Sequence, residues 1–525
     1  MTLCLLGPAC GGGGSSSLGT PVAVGGITGG GDSVAYYLKG TTMYWARGSL
    51  TPVPVDSGVT SFQSVLVGGA ATDSSQAVAY YWKGTTLFWA QGNQTPVQVD
   101  TGVTSVYSTL IGGAATGGGD PVVYYQKGTS LFWARGSHAP VQIDTGISSI
   151  YSTMIGNQAT DGSDTVVYYT KINTLFLARN SLAPVQIDTF AIMISTLIGG
   201  AAPNGSDTVA YYNKGTTLMC ARNTLPPVPI ASGFGGVLTT LVGGGATDGS
   251  DTVAYYVTGS TLYWARGTRT PVPVATDLTA FYSALVGGAA LDGSDTAVYY
   301  FAGSVLKWVR GSQTPIPIDP SVGSMWRTLV GGAATDCSDT VAYYLTGSSL
   351  FLARNSQTPV QVDTGITGMV SSLIGGAATG GSDTVSYYFK GSALYLARNT
   401  LAPILVDNSV TNIYRTFIGG AAKDGSDTVA YYLNGTTLMW ARSSQAPVTI
   451  DTGISGMISA LIAGAAPGGG DTVAYYGKGA NIYWARNSQI PVVIDTSITL
   501  MLKTFVRGPA TPCAPELNLL RRRAA

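Results

Sequence analysis

The sequence predicts an all-β chain built as a β-propeller array of eleven four-stranded blades, and three observations predict it. The doublet Tyr-Tyr occurs eleven times, starting at Tyr36, Tyr80, Tyr124, Tyr168, Tyr211, Tyr255, Tyr299, Tyr343, Tyr387, Tyr431 and Tyr475, and every interval is 44 residues except one of 43. A fixed period of this size marks one supersecondary unit repeated along the chain. Each period holds four short β-rich runs separated by clusters of Gly, Ser, Asn, Asp and Thr, the pattern of four strands with tight turns. Helix-favouring glutamate is almost missing: Glu516 is the only one in 525 residues.

We call the four strands of a period A to D. Strand A carries Gly-Gly or a close variant, such as Gly68-Gly69 and Gly331-Gly332. Small residues allow the close backbone approach that the inner edge of a radial array demands. Strand B, as in Val253-Ala-Tyr-Tyr256, is apolar or aromatic at successive positions rather than alternating. Both its faces must therefore be covered, as in a central strand between neighbouring sheets. Strand C, as in Leu262-Tyr-Trp-Ala265, has the same character. Strand D opens with proline in every copy, from Pro52 to Pro491. Proline cannot donate to a ladder, so it belongs at a strand's first residue or on an outer edge, where it also blocks pairing with another chain.

Four-stranded units of this length in radial array make a β-propeller. The turn Asp248-Gly-Ser-Asp251, then Val253-Ala-Tyr-Tyr256, Leu262-Tyr-Trp264 and Pro271-Val-Pro-Val274, resembles the propeller repeats of the TolB-like and WD40-like bacterial families. The resemblance spans residues 20–510. It lacks the Trp-Asp dipeptide and upstream Gly-His of the WD40 family proper. It implies a propeller serving as a binding or interaction module. Eleven blades exceed the usual four to eight. One oversized ring is the expectation, because the copies run in phase without a linker. Two tandem rings of about five and six are the alternative, with a break at the 43-residue interval. Both Val22-Ala-Val-Gly-Gly26 and Thr504-Phe-Val-Arg-Gly508 look like a strand A for the closing position.

Composition narrows the function. Lys plus Arg and Asp plus Glu are 27 each, so the net charge is zero, and charged residues make up only 10%. No basic field exists to hold a phosphate backbone, which argues against nucleic acid as a partner. No stretch reaches 18 consecutive apolar residues, so no transmembrane helix is expected. The five cysteines are scattered and odd in number, which does not support a disulfide framework.

Candidate chemistry is sparse. With one histidine (His138), one glutamate and no repeated nucleophile, no triad or metal cluster can be built, so no catalytic residue, metal or cofactor is expected. Arginine ends strand C in ten copies and aspartate closes strand D in nine, Ala231 and Ala275 replacing it. Groups repeated in every blade read more readily as Arg–Asp pairs or turn caps than as a ring of ligand sites. Trp fills one strand C slot at Trp45, Trp89, Trp133, Trp264, Trp308, Trp440 and Trp484, while Leu177, Leu352, Leu396 and Cys220 fill it elsewhere. A tryptophan per blade is the candidate sugar-stacking set of a multivalent carbohydrate-binding propeller, and interchange with Leu and Cys favours apolar packing.

Residues 1–19 read as a leader and Gly/Ser tether, 20–510 as the eleven repeats, and 511–525 as a disordered tail. Residues 1–17 resemble the end of a bacterial lipoprotein signal, with a small residue before Cys10 and Gly11 to Ser17 after it. The resemblance implies lipid attachment at Cys10. The apolar run 3–6 is short for a signal, and no basic segment precedes it. The resulting expectation is a monomeric, non-catalytic, exported scaffold at the outer membrane, periplasm or cell surface, with a protein or glycan ligand.

Overall fold

The computed structural model describes residues 34–505, apart from residue 49 and ten segments between strands A and B: 68–76, 113–119, 157–163, 200–206, 244–250, 288–294, 332–338, 376–382, 420–426 and 464–470. The described elements are all strands, forty-four of them, in eleven four-stranded antiparallel sheets. Ten sheets take their strands in chain order A-B-C-D. Blade two, for example, is Ser61–Val67, Ala77–Lys83, Thr86–Gln91 and Val97–Asp100.

Blade one is composite. Its strands B, C and D are Val34–Lys39, Thr42–Arg47 and Val53–Asp56, and its strand A is Leu500–Phe505 from the far end of the chain. Val34 pairs with Phe505 and Ala35 with Thr504. The chain ends therefore close one ring of eleven blades, and the alternative of two tandem rings fails on this pairing. Of the two segments competing to close the ring, the one around Thr504 supplies the strand. Val22–Gly26, the leader with Cys10, and the tail 511–525 lie outside the described residues.

Each of the eleven blade-to-blade interfaces has its own apolar cluster, including the one joining blades eleven and one. Strand B explains them. Successive strand residues point to opposite faces. Val34 and Tyr36 pack with Ala77, Ala79 and Tyr81 of blade two, while Ala35 and Tyr37 pack with Val473 and Tyr475 of blade eleven. Both rings of the doublet are buried in each copy, as expected for a central strand.

The turns follow local chemistry. Strands B and C join through a two-residue turn whose first residue has positive φ, glycine in ten copies, as at Gly40 (φ 58°). That suits a hairpin turn whose twist matches the strands. After the arginine of strand C comes a second left-handed position, held by glycine, asparagine or serine, as at Gly48, Asn180 and Ser443. Strand D is short and lies at the outer edge of its sheet, just after its proline. Strand A is the opposite edge. The strands A of neighbouring blades touch one another around the centre of the ring. In every blade the A–B ladder carries a β-bulge, as between Phe62 and Ser64.

Candidate functional site on the inner strands

The repeated polar residues tie blade to blade. The hydroxyl of the first tyrosine bonds to a threonine that opens strand B of the next blade: Tyr124 to Thr165, Tyr168 to Thr208, Tyr211 to Thr252, Tyr255 to Thr296, Tyr299 to Thr340, Tyr343 to Thr384, Tyr387 to Thr428 and Tyr431 to Thr472, at 2.7–3.3 Å. The strand C indoles use the same acceptor. Trp133, Trp264, Trp308 and Trp440 donate to Thr165, Thr296, Thr340 and Thr472 at 2.9–3.0 Å. In blade four, Thr165 donates its hydroxyl to Asn180 Oδ1 (3.2 Å) and its backbone N–H to the same oxygen (2.7 Å). The left-handed asparagine is thereby part of the joint. Three copies lack the threonine, and the first of these positions, Ser33, lies outside the described residues. Ala77 stands there in blade two, so Tyr36 donates to the Ala77 carbonyl (2.9 Å) and the buried Trp45 indole nitrogen has no partner. Pro121 stands there in blade three, and Trp89 donates instead to the Gly136 carbonyl (3.1 Å).

The second tyrosine serves the opposite interface. Its hydroxyl donates to the strand D aspartate of the preceding blade: Tyr37 to Asp495, Tyr81 to Asp56, Tyr125 to Asp100, Tyr169 to Asp144, Tyr212 to Asp188, Tyr344 to Asp319, Tyr388 to Asp363, Tyr432 to Asp407 and Tyr476 to Asp451, at 2.5–2.9 Å. In seven blades a lysine at the end of the same strand B also reaches that carboxylate, as Lys127 does to Asp100 (3.1 Å). Six of these ammonium groups lie over the strand C aromatic of their blade, 4.8–5.8 Å from its centre. Such contacts add to the joint. The strand D aspartates thus bond to Tyr and Lys of the next blade and also cap the turn that follows them, as Asp100 Oδ1 does for the Thr101 N–H (2.7 Å), so of the Arg–Asp pair or turn cap that the sequence suggested for them the cap is found.

Partial burial pushes the Asp100 carboxyl up, but the Tyr125 hydroxyl, Lys127 and the Thr101 N–H outweigh it and hold the group below its ordinary value. Asp144, Asp188, Asp363, Asp451 and Asp495 are lowered by the same competition. The tyrosines shift the other way. Burial pushes Tyr168 up to about 12, and Tyr125 and Tyr344 further.

The candidate ligand-binding tryptophans lie in these interfaces. Trp133, Trp308, Trp440 and Trp484 are buried; Trp45, Trp89 and Trp264 are half-buried. A ring that stacks a sugar needs an open face, and the buried four present none. His138 is exposed in the turn between strands C and D, with no titratable partner among the described residues. Cys220 is a buried free thiol that burial pushes up to about 11. Among the described residues no three His, Cys, Asp or Glu side chains come together as a metal site, and no helix is long and apolar enough to cross a membrane.

The bulge of strand A is both accessible in several blades and varied between them. A β-bulge sets two successive side chains against one partner residue and re-aims them. The first of the two is Gln63, Tyr107, Tyr151, Ile194, Leu238, Tyr282, Trp326, Val370 and Tyr414 in blades two to ten. Tyr107, Tyr151 and Trp326 are exposed (40%, 41% and 36%). The second is Ser or Thr in most blades, but exposed Arg327 in blade eight and Arg415 in blade ten. In blades two, five, seven and nine it is a serine that bonds to the next inner strand, as Ser283 does to Thr328 (2.8 Å). Tyr282 donates to the Trp326 carbonyl (2.8 Å), and Arg327 is near enough to act on its phenol. Sequence reading left the tyrosines undivided. The usable signal was the contrast between these two columns and their neighbours: they change from copy to copy while the doublet, the strand C arginine and the proline recur.

No protein-family model matches this chain, and no curated protein matches it. Among solved structures it is similar to virginiamycin B lyase from Staphylococcus aureus (8% identity, TM-score 0.26, covering 56% of this chain and 92% of that one) and to the Dos1 propeller (10% identity, TM-score 0.31, covering 64% and 95%). None of their residues or activities transfers at that level of likeness.

Proposed function

We propose that this chain is a non-catalytic binding scaffold that engages its ligand on the inner strands of the ring, and that it is exported to a bacterial periplasm or surface. One observation carries the first part: the tyrosines and aspartates that recur in the blades are engaged in blade-to-blade bonds, whereas Tyr107, Tyr151, Trp326, Arg327 and Arg415, exposed groups that differ between blades, all sit on the inner strands. A site that must distinguish one ligand needs such broken symmetry. The chain's low charge, its Gly/Ser/Thr richness and the Cys10 context support export. A carbohydrate ligand is the second reading, with stacking assigned to Trp326 and the inner tyrosines rather than to strand C.

A photo-crosslinking residue placed at Trp326 or Tyr107 should capture a ligand from the native extract, while the same residue at Val493 on an outer strand should not. Adducts at the outer position alone would sink the reading, and turnover in a hydrolase or lyase screen would overturn its non-catalytic part. Mass spectrometry of the N-terminal peptide for a diacylglyceryl group on Cys10 tests export, and an unmodified cytosolic peptide counts against it.

A further inference from the structure

The inner strands carry no acidic residue. Their only charged residues are Arg327, Arg415 and Lys503, in a chain with no net charge. All three occupy the second bulge position, facing Tyr343, Tyr431 and Tyr36 in register. Arg327 and Arg415 are exposed, and among the described residues neither has an ion-pair partner. The lysines of strand B, by contrast, are mostly held by aspartates. Immediately before the two arginines stand Trp326 and Tyr414, and Tyr282 reaches across from blade seven. Flat rings beside guanidinium groups that have no ion-pair partner among the described residues form a site for a ligand that offers both a face to stack on and an anion.

Resting on the inner-strand reading above, we propose that blades seven to ten bind an acidic oligosaccharide, one that bears uronate carboxylates. Trp326, Tyr282 and Tyr414 take the apolar faces of the sugar rings, and Arg327 and Arg415 donate to the carboxylates. Planar guanidinium suits bidentate carboxylate recognition. Two features favour a glycan over other anions. The bulge interrupts the free ladder edge of every inner strand, which disfavours an acidic peptide adding as an extra strand. The cations are widely spaced, which fits one carboxylate per sugar or two better than a nucleic acid, whose strand must be tracked by a continuous basic groove.

The test is calorimetric titration of the full chain with oligogalacturonate, neutral malto-oligosaccharide, poly-glutamate and poly(U). Saturable binding to oligogalacturonate alone, weakening as salt rises, is the expected result. Arg327→Gln and Arg415→Gln should each weaken it about tenfold, and Trp326→Ala about tenfold, with circular dichroism and melting unchanged. Arg327→Lys should recover part of the loss. Equal binding of the neutral sugar, tighter binding of poly-glutamate or poly(U), or no binding of any probe each overturns the proposal. Crosslinking at Trp326 that persists when oligogalacturonate fails to bind would remove the ligand class and leave the scaffold reading standing.

Discussion

At the scale of single residues, the repeat supplies its own controls. Ala77 leaves the Trp45 indole without an acceptor where other blades offer threonine. Ala77→Thr should therefore raise stability by about 1 kcal/mol in chemical denaturation; a loss would show that the pocket is too tight for the hydroxyl. Tyr300 sits opposite Ala275, where most blades have aspartate, and its buried hydroxyl has no partner. Tyr300→Phe should be neutral or stabilising, whereas Tyr344→Phe, which takes from Asp319 Oδ2 its tyrosine donor, should cost about 1–3 kcal/mol. Ile172 and Phe190 hold left-handed positions (φ 53° and 57°) that other blades give mostly to glycine, and both are well exposed (85% and 69%). A β-branched or bulky residue is strained there. Ile172→Gly should gain about 1 kcal/mol, checked by the same denaturation midpoint.

At the scale of elements, the joint between strand D and the next strand B sets the response to pH. Its aspartates have folded values below the ordinary 3.8. The unfolded chain then takes up protons first as acid is added. The stabilisation is full above the ordinary carboxylate range and is lost as pH falls through the folded values. Melting temperature should fall below about pH 4, and less steeply in Asp100→Asn. The doublet works at the other end. Its phenols are raised by burial, so the unfolded chain loses protons first and stability is full below about pH 10 and is lost as pH rises through the folded values. Tyrosinate absorbance should appear together with loss of β-structure. Its appearance in a still-folded ring would contradict this.

At the scale of the whole molecule, eleven similar interfaces close a circle at about 33° each. Closure depends on Leu500–Phe505 completing blade one. Deleting residues 500–525 should leave the edge of Val34–Lys39 open, lower the melting temperature and promote association, seen by size exclusion. Excising one period, residues 105–148, keeps the other interfaces whole and asks each to open to about 36°, so a folded but less stable ten-blade ring is expected in solution scattering. Much of this was legible in the sequence. Period, strand number, the covered Tyr-Tyr strand and the outer proline strand each follow from local pattern, because strand periodicity and turn chemistry act over a few neighbouring residues. Which end of the chain closes the ring did not follow, since Val22–Gly26 and the segment at Thr504 carry the same pattern and only pairing in space separates them. Nor did the partners of the strand D aspartates, because Tyr125 and Lys127 lie one blade away from Asp100. The sequence by itself determined an array of eleven equal blades. Tertiary structure alone decided that they form one ring, that the strand C tryptophans belong to its joints, and that bulged inner strands leave Trp326, Arg327 and Arg415 exposed, because burial and exposure depend on neighbours that the repeat brings together only when it curves.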